Sequence, residues 1–186
     1  SGGYWPLLLA GGARVGGPPE LFGLILGTSN PLTILHPGLG LLEAAWSWAE
    51  PLAFAPRIAD DPLPTAPLRH LYVPFGQDDG YFPEPIYDAM AVAYGGQRAG
   101  PALWPGMDAS LALAGLEGTL SWPVTANRSG GTRVVSQWSG DGLVDSHNVF
   151  AQAEGLKLQY GCFFATLHTS DAPTVVEPGA ETDPCE

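Results

Sequence analysis

Three side chains of this sequence could carry out acid–base chemistry together: the carboxylates of Asp78 and Asp79 and the imidazole of His147. A carboxylate that accepts a hydrogen bond from an imidazole fixes the tautomer of the ring and stabilises the imidazolium. The ring can then remove a proton from a serine hydroxyl and return it later to a leaving group. An Asp that precedes a His in the chain therefore predicts acyl transfer, provided that the fold brings the two side chains together.

The polar segments that hold these residues each follow a predicted strand. His70–Gly76 is a short apolar run that indicates a buried strand, and Thr132–Trp138 has the β-branched content of another. Helices are predicted after each polar loop, over Ile86–Tyr94 and Leu156–Leu167. Because ligands bind beyond the carboxyl ends of the strands of an open α/β sheet, we expect both loops at one edge of the sheet.

The region from Pro19 to Ile58 is predicted to be helical, without strands. Its helical patterns follow an apolar run, Leu7–Ala10, which fits a strand end or a short helix, and they cover Pro19–Gly27, Leu39–Glu50 and Pro51–Ile58. A long connection with Pro101, Pro105 and Pro123 joins the predicted helix ending at Tyr94 to the strand starting at Thr132.

The predicted fold class is therefore α/β: the last parallel strands of a sheet, flanking helices, and a helical cap-like insertion over residues 19–58. Residues 1–175 are expected to form part of one domain. Residues 176–186 are predicted to be an acidic flexible tail.

Composition and charge exclude several classes of partner. The 186 residues are 45% hydrophobic and include six Trp, which is enough to build a sizeable core. Nineteen acidic and seven basic side chains give a net charge of −12, which disfavours binding to a nucleic-acid backbone. No stretch reaches the roughly 18 consecutive apolar residues of a membrane-spanning helix. The sequence indicates no cofactor and no metal ion.

Cys162 and Cys185 are the two cysteines of the chain, and their spacing fits no metal-binding or redox motif. Two interpretations remain open. Cys162 could be a small buried apolar residue of a helix while Cys185 is unpaired in the tail. Alternatively, the two could form a disulfide that anchors the tail, which would require an oxidising compartment.

Four short motifs resemble, in order, conserved segments of secreted bacterial α/β-hydrolases. They correspond to the acid loop, the extended segment after it, the histidine loop and the start of the final helix: Gly76–Pro83, Pro123–Arg128, Asp145–Phe150 and Gln159–Phe164. The resemblance covers nearly the whole chain. It implies the C-terminal half of an α/β-hydrolase domain, activity on a small carboxylic ester, and a secreted, periplasmic or cell-envelope location.

The resemblance also implies roles for individual residues. The catalytic acid of the family precedes a small residue and an aromatic-X-Pro turn, which corresponds to Asp79, with Asp78 as the fallback. The catalytic base corresponds to His147, although Ser146 stands where the family commonly has Gly. The chain contains no Gly-x-Ser-x-Gly elbow, so the nucleophilic serine is expected upstream, in a missing N-terminal half. The alternative that Ser1 belongs to a truncated elbow remains open.

Two other functions compete with this interpretation. Because a fold does not dictate chemistry, the chain could be a non-catalytic binding or structural module with an α/β-hydrolase-like fold. The segment Asp141–Asp145 also resembles the middle of a calcium-binding loop, but the positions around Gly142 supply few of the required ligands.

Overall fold

The computed structural model describes residues 3–10, 23–29 and 32–185 of the chain. Within these ranges, short 3₁₀ turns cover Ser47–Ala49, Ala55–Arg57 and Ser146–Asn148. The helices are α1 (Tyr4–Ala10), α2 (Pro37–Ala45), α3 (Pro51–Phe54), α4 (Glu84–Ala93), α5 (Pro105–Leu113), α6 (Val149–Gln152) and α7 (Glu154–Leu167). The strands are β1 (Leu71–Gly76), β2 (Gln97–Arg98), β3 (Val124–Thr125), β4 (Arg133–Trp138) and β5 (Thr174–Val175).

A small parallel sheet forms the centre of this mixed α/β fold. Its strand order is β1-β4-β2, and β4 pairs in parallel with both neighbours. The two predicted strands are therefore confirmed as parallel neighbours, with Leu71 opposite Arg133 and Gly76 opposite Trp138. Since β1 and β4 end at the same level, the loops that follow them leave the sheet side by side. A separate antiparallel pair joins β3 to β5.

The main core lies between this sheet and two helices. Phe75 of β1 and Val135 of β4 pack against side chains of α4 and α5, namely Tyr87, Ala91, Met107 and Leu111. The prediction of α4 is confirmed, and the helix begins at Glu84, two residues early, because Pro85 fits the first turn of a helix.

The region between α4 and β4, for which the sequence analysis gave only a long connection, contains regular structure. It contains β2, α5 and β3. Strands β2 and β3 have no clear sequence signal because each is two residues long and exists only through its pairing with another strand. Helix α5 had a sequence signal, since Pro105 suits the first turn of a helix and the apolar residues Met107 and Leu111 are one turn apart; both are buried in the structure.

The described part of residues 19–58 contains helices, as the sequence pattern predicts. Helix α2 starts after His36, whose side chain accepts a hydrogen bond from the backbone N–H of Gly38. It ends at Ala45, earlier than predicted, and a 3₁₀ turn follows. Of the helix predicted over Pro19–Gly27, only residues 23–27 are described, and residues 23–25 are helical.

The acidic segment after residue 175 packs against α7, whereas the sequence predicts a flexible tail. Val176 is 2% exposed, and its carbonyl accepts a hydrogen bond from the Gln159 side chain at 2.6 Å. Cys162 and Cys185 form a disulfide, so the paired alternative is confirmed. The disulfide and the buried Val176 side chain hold the segment against α7 despite its negative charge. No helix in the described ranges is long and apolar enough to cross a membrane.

Candidate active site

Two neighbouring loops form the candidate site at the carboxyl ends of β1 and β4. The backbone N–H of Gln77 donates to the carbonyl of Trp138 at 2.8 Å, so the strands remain paired up to the point where the loops begin. The first loop carries Asp79 and the second carries His147. This is the edge of the sheet at which the sequence predicts that they meet.

The structure brings Asp79 and His147 into direct contact. Oδ2 of Asp79 lies 2.9 Å from Nδ1 of His147. The Asp79 side chain is completely buried, whereas the His147 side chain is 35% exposed. An ionised carboxylate can only accept hydrogen bonds, so Nδ1 carries the proton in this pair and Nε2 of the neutral ring is unprotonated.

The buried carboxylate of Asp79 is surrounded by hydrogen-bond donors. Its Oδ1 accepts the backbone N–H of Tyr81 at 2.7 Å and that of Phe82 at 3.3 Å. The Tyr87 hydroxyl donates to Oδ2, the oxygen that also faces His147. Burial, followed by the neighbouring Asp79 carboxylate, raises the pKa of Tyr87, so that its hydroxyl stays protonated and remains a donor. These donors replace the water that burial removes from the charged group.

The His147 ring is held by two aromatic side chains. Its centroid lies 4.6 Å from that of Tyr81 and 5.3 Å from that of Phe82, with tilted planes in both cases. No residue among those described forms a hydrogen bond with Nε2 of His147. A partly exposed ring with a fixed tautomer and an available Nε2 atom can act as a general base toward a group outside this part of the chain.

The backbone around His147 is fixed by local hydrogen bonds. The Asp145 side chain accepts the backbone N–H of His147 at 3.0 Å and thereby caps the 3₁₀ turn that carries the ring. The Gln152 side chain donates to the carbonyls of Asp145 and Asn148 at 2.8 and 3.2 Å, and accepts from the N–H of Val144 at 2.8 Å. Gln152 therefore ties both ends of the loop to α6.

The fallback acid Asp78 does not reach the imidazole. It is exposed, and its φ of +56° lies in the left-handed region, which Asp tolerates better than most residues. The turn at Asp78 is what allows the next residue, Asp79, to face inward. The structure therefore pairs His147 with Asp79 and leaves Asp78 at the surface.

The calcium-loop alternative receives no support from the positions of its residues. Asp145 uses its carboxylate to cap the 3₁₀ turn. Across the described ranges, no group of three or more His, Cys, Asp or Glu side chains is arranged to hold a metal ion.

Tyr87 and Gln152 contact the site, and the sequence analysis missed both. Tyr87 is one residue of a helix whose amphipathic pattern predicts only burial, and its contact with Asp79 depends on how α4 packs on β1. Gln152 carried a weak local signal, since amide side chains often bond to nearby turns. Ser1 lies outside the described residues.

Comparisons of this chain with protein-family models, with curated proteins and with solved structures found no match.

Proposed function

We propose that this chain supplies the acid and the base of a serine hydrolase that acts on carboxylic esters. The observation that carries the proposal is the hydrogen bond of 2.9 Å between the buried Asp79 carboxylate and Nδ1 of His147. In a hydrolytic triad the remaining nitrogen of the imidazole faces a serine hydroxyl, and Nε2 of His147 is the atom with that role here.

The reaction would proceed in two balanced halves. A serine outside this chain attacks the ester carbonyl while Nε2 of His147 takes the hydroxyl proton and then gives it to the departing alcohol. Water next attacks the acyl-enzyme, His147 takes one proton from the water, and that proton returns to the serine as the acid leaves. Asp79 stabilises the imidazolium in both halves and holds the ring in the required tautomer.

The fold and the apolar surface support this assignment. Parallel strands that end in an acid loop and a histidine loop are consistent with the C-terminal part of an α/β-hydrolase domain. The helical region also has a groove of about 400 Å³ whose apolar lining suits an apolar group; it is lined by Ile25, Leu26, Gly38, Leu39, Leu41, Leu42 and Trp46. The disulfide supports a secreted, periplasmic or cell-envelope location, because disulfides persist in oxidising compartments.

The test uses the complete reading frame that contains this chain, assayed with chromogenic esters. Asp79→Asn and His147→Ala should each lower kcat/KM by roughly 10³- to 10⁴-fold, and Asp78→Asn should leave it nearly unchanged. The 186-residue chain alone should hydrolyse no ester. A complete protein without esterase activity would instead favour the non-catalytic module.

Labelling with a fluorophosphonate locates the nucleophile independently of the substrate, because the probe bonds covalently to an activated serine. We expect the labelled serine in a Gly-x-Ser-x-Gly elbow upstream of this chain, and no labelling of the His147→Ala variant. Labelling of Ser1 would overturn this placement of the nucleophile.

A further inference from the structure

The oxygen of Asp79 that faces His147 has a second donor. Oδ2 accepts the Tyr87 hydroxyl as well as Nδ1 of His147. We propose that Tyr87 is a positioning residue that shares this oxygen with His147 and thereby sets how tightly the imidazole holds its proton. The catalytic consequence rests on the proposed hydrolase function, whereas the hydrogen-bonding consequence does not.

Packing fixes the Tyr87 hydroxyl in place. Tyr87 is 6% exposed, and its ring lies 4.5 Å from that of Phe75 and 6.5 Å from that of Trp104. The centroid of its ring also lies 6.1 Å from that of Phe82, and the Phe82 ring packs against the His147 ring. A side chain held on three sides cannot withdraw its hydroxyl from Asp79 without disturbing the core.

The two oxygens of Asp79 differ in how their charge is shared. Oδ1 accepts two backbone N–H groups, which no substitution of a side chain removes. The negative charge on Oδ2 interacts with two donors, the Tyr87 hydroxyl and Nδ1 of His147. Because the Asp79 side chain has no exposed surface, water cannot replace a donor that is lost from Oδ2. Without the Tyr87 hydroxyl, more of the charge on Oδ2 would act on His147, and the ring would hold its proton more tightly.

Other titratable groups near Tyr87 do not substitute for it. Asp145 from the histidine loop acts on Tyr87 through its charge, whereas Tyr4 from α1 is a neutral phenol because burial raises its pKa. The carboxylate of Asp145 is directed to the 3₁₀ turn, where it caps the N–H of His147. Neither Tyr4 nor Asp145 forms a hydrogen bond with the Asp79 carboxylate, so the Tyr87 hydroxyl is the side-chain group that competes with His147 for Oδ2 among the residues the structure describes.

The test is Tyr87→Phe, which removes the hydroxyl and keeps the ring. In proton NMR of the 186-residue chain, we expect the Nδ1 proton of His147 to move downfield, because its hydrogen bond to Oδ2 becomes stronger. Replacing Tyr87 with 3-fluorotyrosine makes the hydroxyl a better donor and should move the same resonance upfield. Tyr94→Phe, a half-buried tyrosine one residue beyond α4, should leave it in place.

In the complete hydrolase, Tyr87→Phe should move the acidic limb of the kcat/KM profile to higher pH and change the plateau by less than about tenfold. An unchanged Nδ1 resonance in both position-87 variants would overturn the role of Tyr87 and leave the hydrolase proposal standing. Absence of ester hydrolysis in the wild type would remove the hydrolase proposal, while the NMR result would still decide the role of Tyr87. If Tyr87→Phe fails to fold, the fluorotyrosine variant decides the question.

Discussion

Gly76, the last residue of β1, is in backbone contact with Ser146, the residue before His147. A Cβ atom built on Gly76 would lie 2.1 Å from the carbonyl oxygen of Ser146, and that oxygen belongs to a capped turn that cannot easily shift. The contact sets the distance between the histidine loop and the end of β1. It therefore contributes to placing His147 at hydrogen-bonding distance from Asp79.

We expect Gly76→Ala to displace the histidine loop. The clash should lower the free energy of unfolding by about 1–3 kcal/mol and weaken the hydrogen bond between Asp79 and His147. Urea unfolding measures the first effect and the Nδ1 proton resonance of His147 measures the second. The matched control is Gly161→Ala in α7, where a Cβ meets no atom within 4 Å; it should stabilise the protein by roughly 1 kcal/mol. Equal effects of the two substitutions would contradict the role of the Gly76 contact.

Loss of the disulfide should destabilise the protein. Cys162 and Cys185 are 23 positions apart, and closing a loop of that length restricts the unfolded chain by about 3 kcal/mol. We expect a reductant to lower the urea midpoint of the wild type accordingly. The double variant Cys162→Ala/Cys185→Ser should resemble the reduced wild type and show no further response to reductant. A midpoint that is indifferent to reductant in the wild type would contradict the prediction.

The stability of the protein should fall as the pH rises from about 4.5 to about 7. Burial, followed by a hydrogen bond to Glu50 and the charge of that group, raises the pKa of Glu43 from 4.5 to about 7. Across this window the unfolded chain has released the Glu43 proton and the folded protein still holds it, so folding is progressively penalised.

Glu43→Gln removes this penalty and should be more stable than the wild type at pH 8. Because Glu43 is only partly buried, we expect roughly 1–2 kcal/mol, measured as thermal melting at pH 4.5, 6 and 8. Glu117→Gln, at an exposed carboxylate, should keep the pH dependence of the wild type. If Glu43→Gln and the wild type showed the same pH dependence of stability, Glu43 would not be its cause.

The ion pair between Arg98 and Asp108 should be important for stability. The Arg98 side chain is 6% exposed, its guanidinium contacts both Asp108 oxygens at 2.5 and 3.0 Å, and it also donates to Thr119 at 2.6 Å. Asp108→Asn leaves a buried charge without its partner and should cost roughly 2–3 kcal/mol, since water reaches the exposed side of Asp108.

The control for this prediction is Asp61→Asn. Asp61 pairs with Arg57 at the surface, where an ion pair contributes less than about 0.5 kcal/mol. Chemical denaturation of both variants measures the difference. Similar losses of stability in the two variants would show that burial of Arg98 is not what makes its ion pair important.

Much of the candidate site could be predicted because it depends on local patterns. Apolar runs predicted β1 and β4, and parallel strands place the loops that follow them at one edge, so Asp79 and His147 were expected to meet. The choice between Asp78 and Asp79 followed from the resemblance to α/β-hydrolases, whose acid precedes a small residue and an aromatic-X-Pro turn, and not from the residue types alone. In the structure, the left-handed backbone at Asp78 turns the Asp79 side chain inward.

Tertiary packing decided the rest. Strand β2 exists only because β4 lies beside it, and the acidic segment is ordered because Val176 and the disulfide hold it to α7. The contact of Tyr87 with Asp79 joins a helix to a loop, and the spacing of residues along the chain does not encode it. The sequence by itself determined which residues could do chemistry and which strands they follow, because residue type and periodicity are properties of the chain alone. Only the tertiary structure decided which hydrogen-bond donors share the buried carboxylate, because that depends on the distances between elements that are separate in the chain.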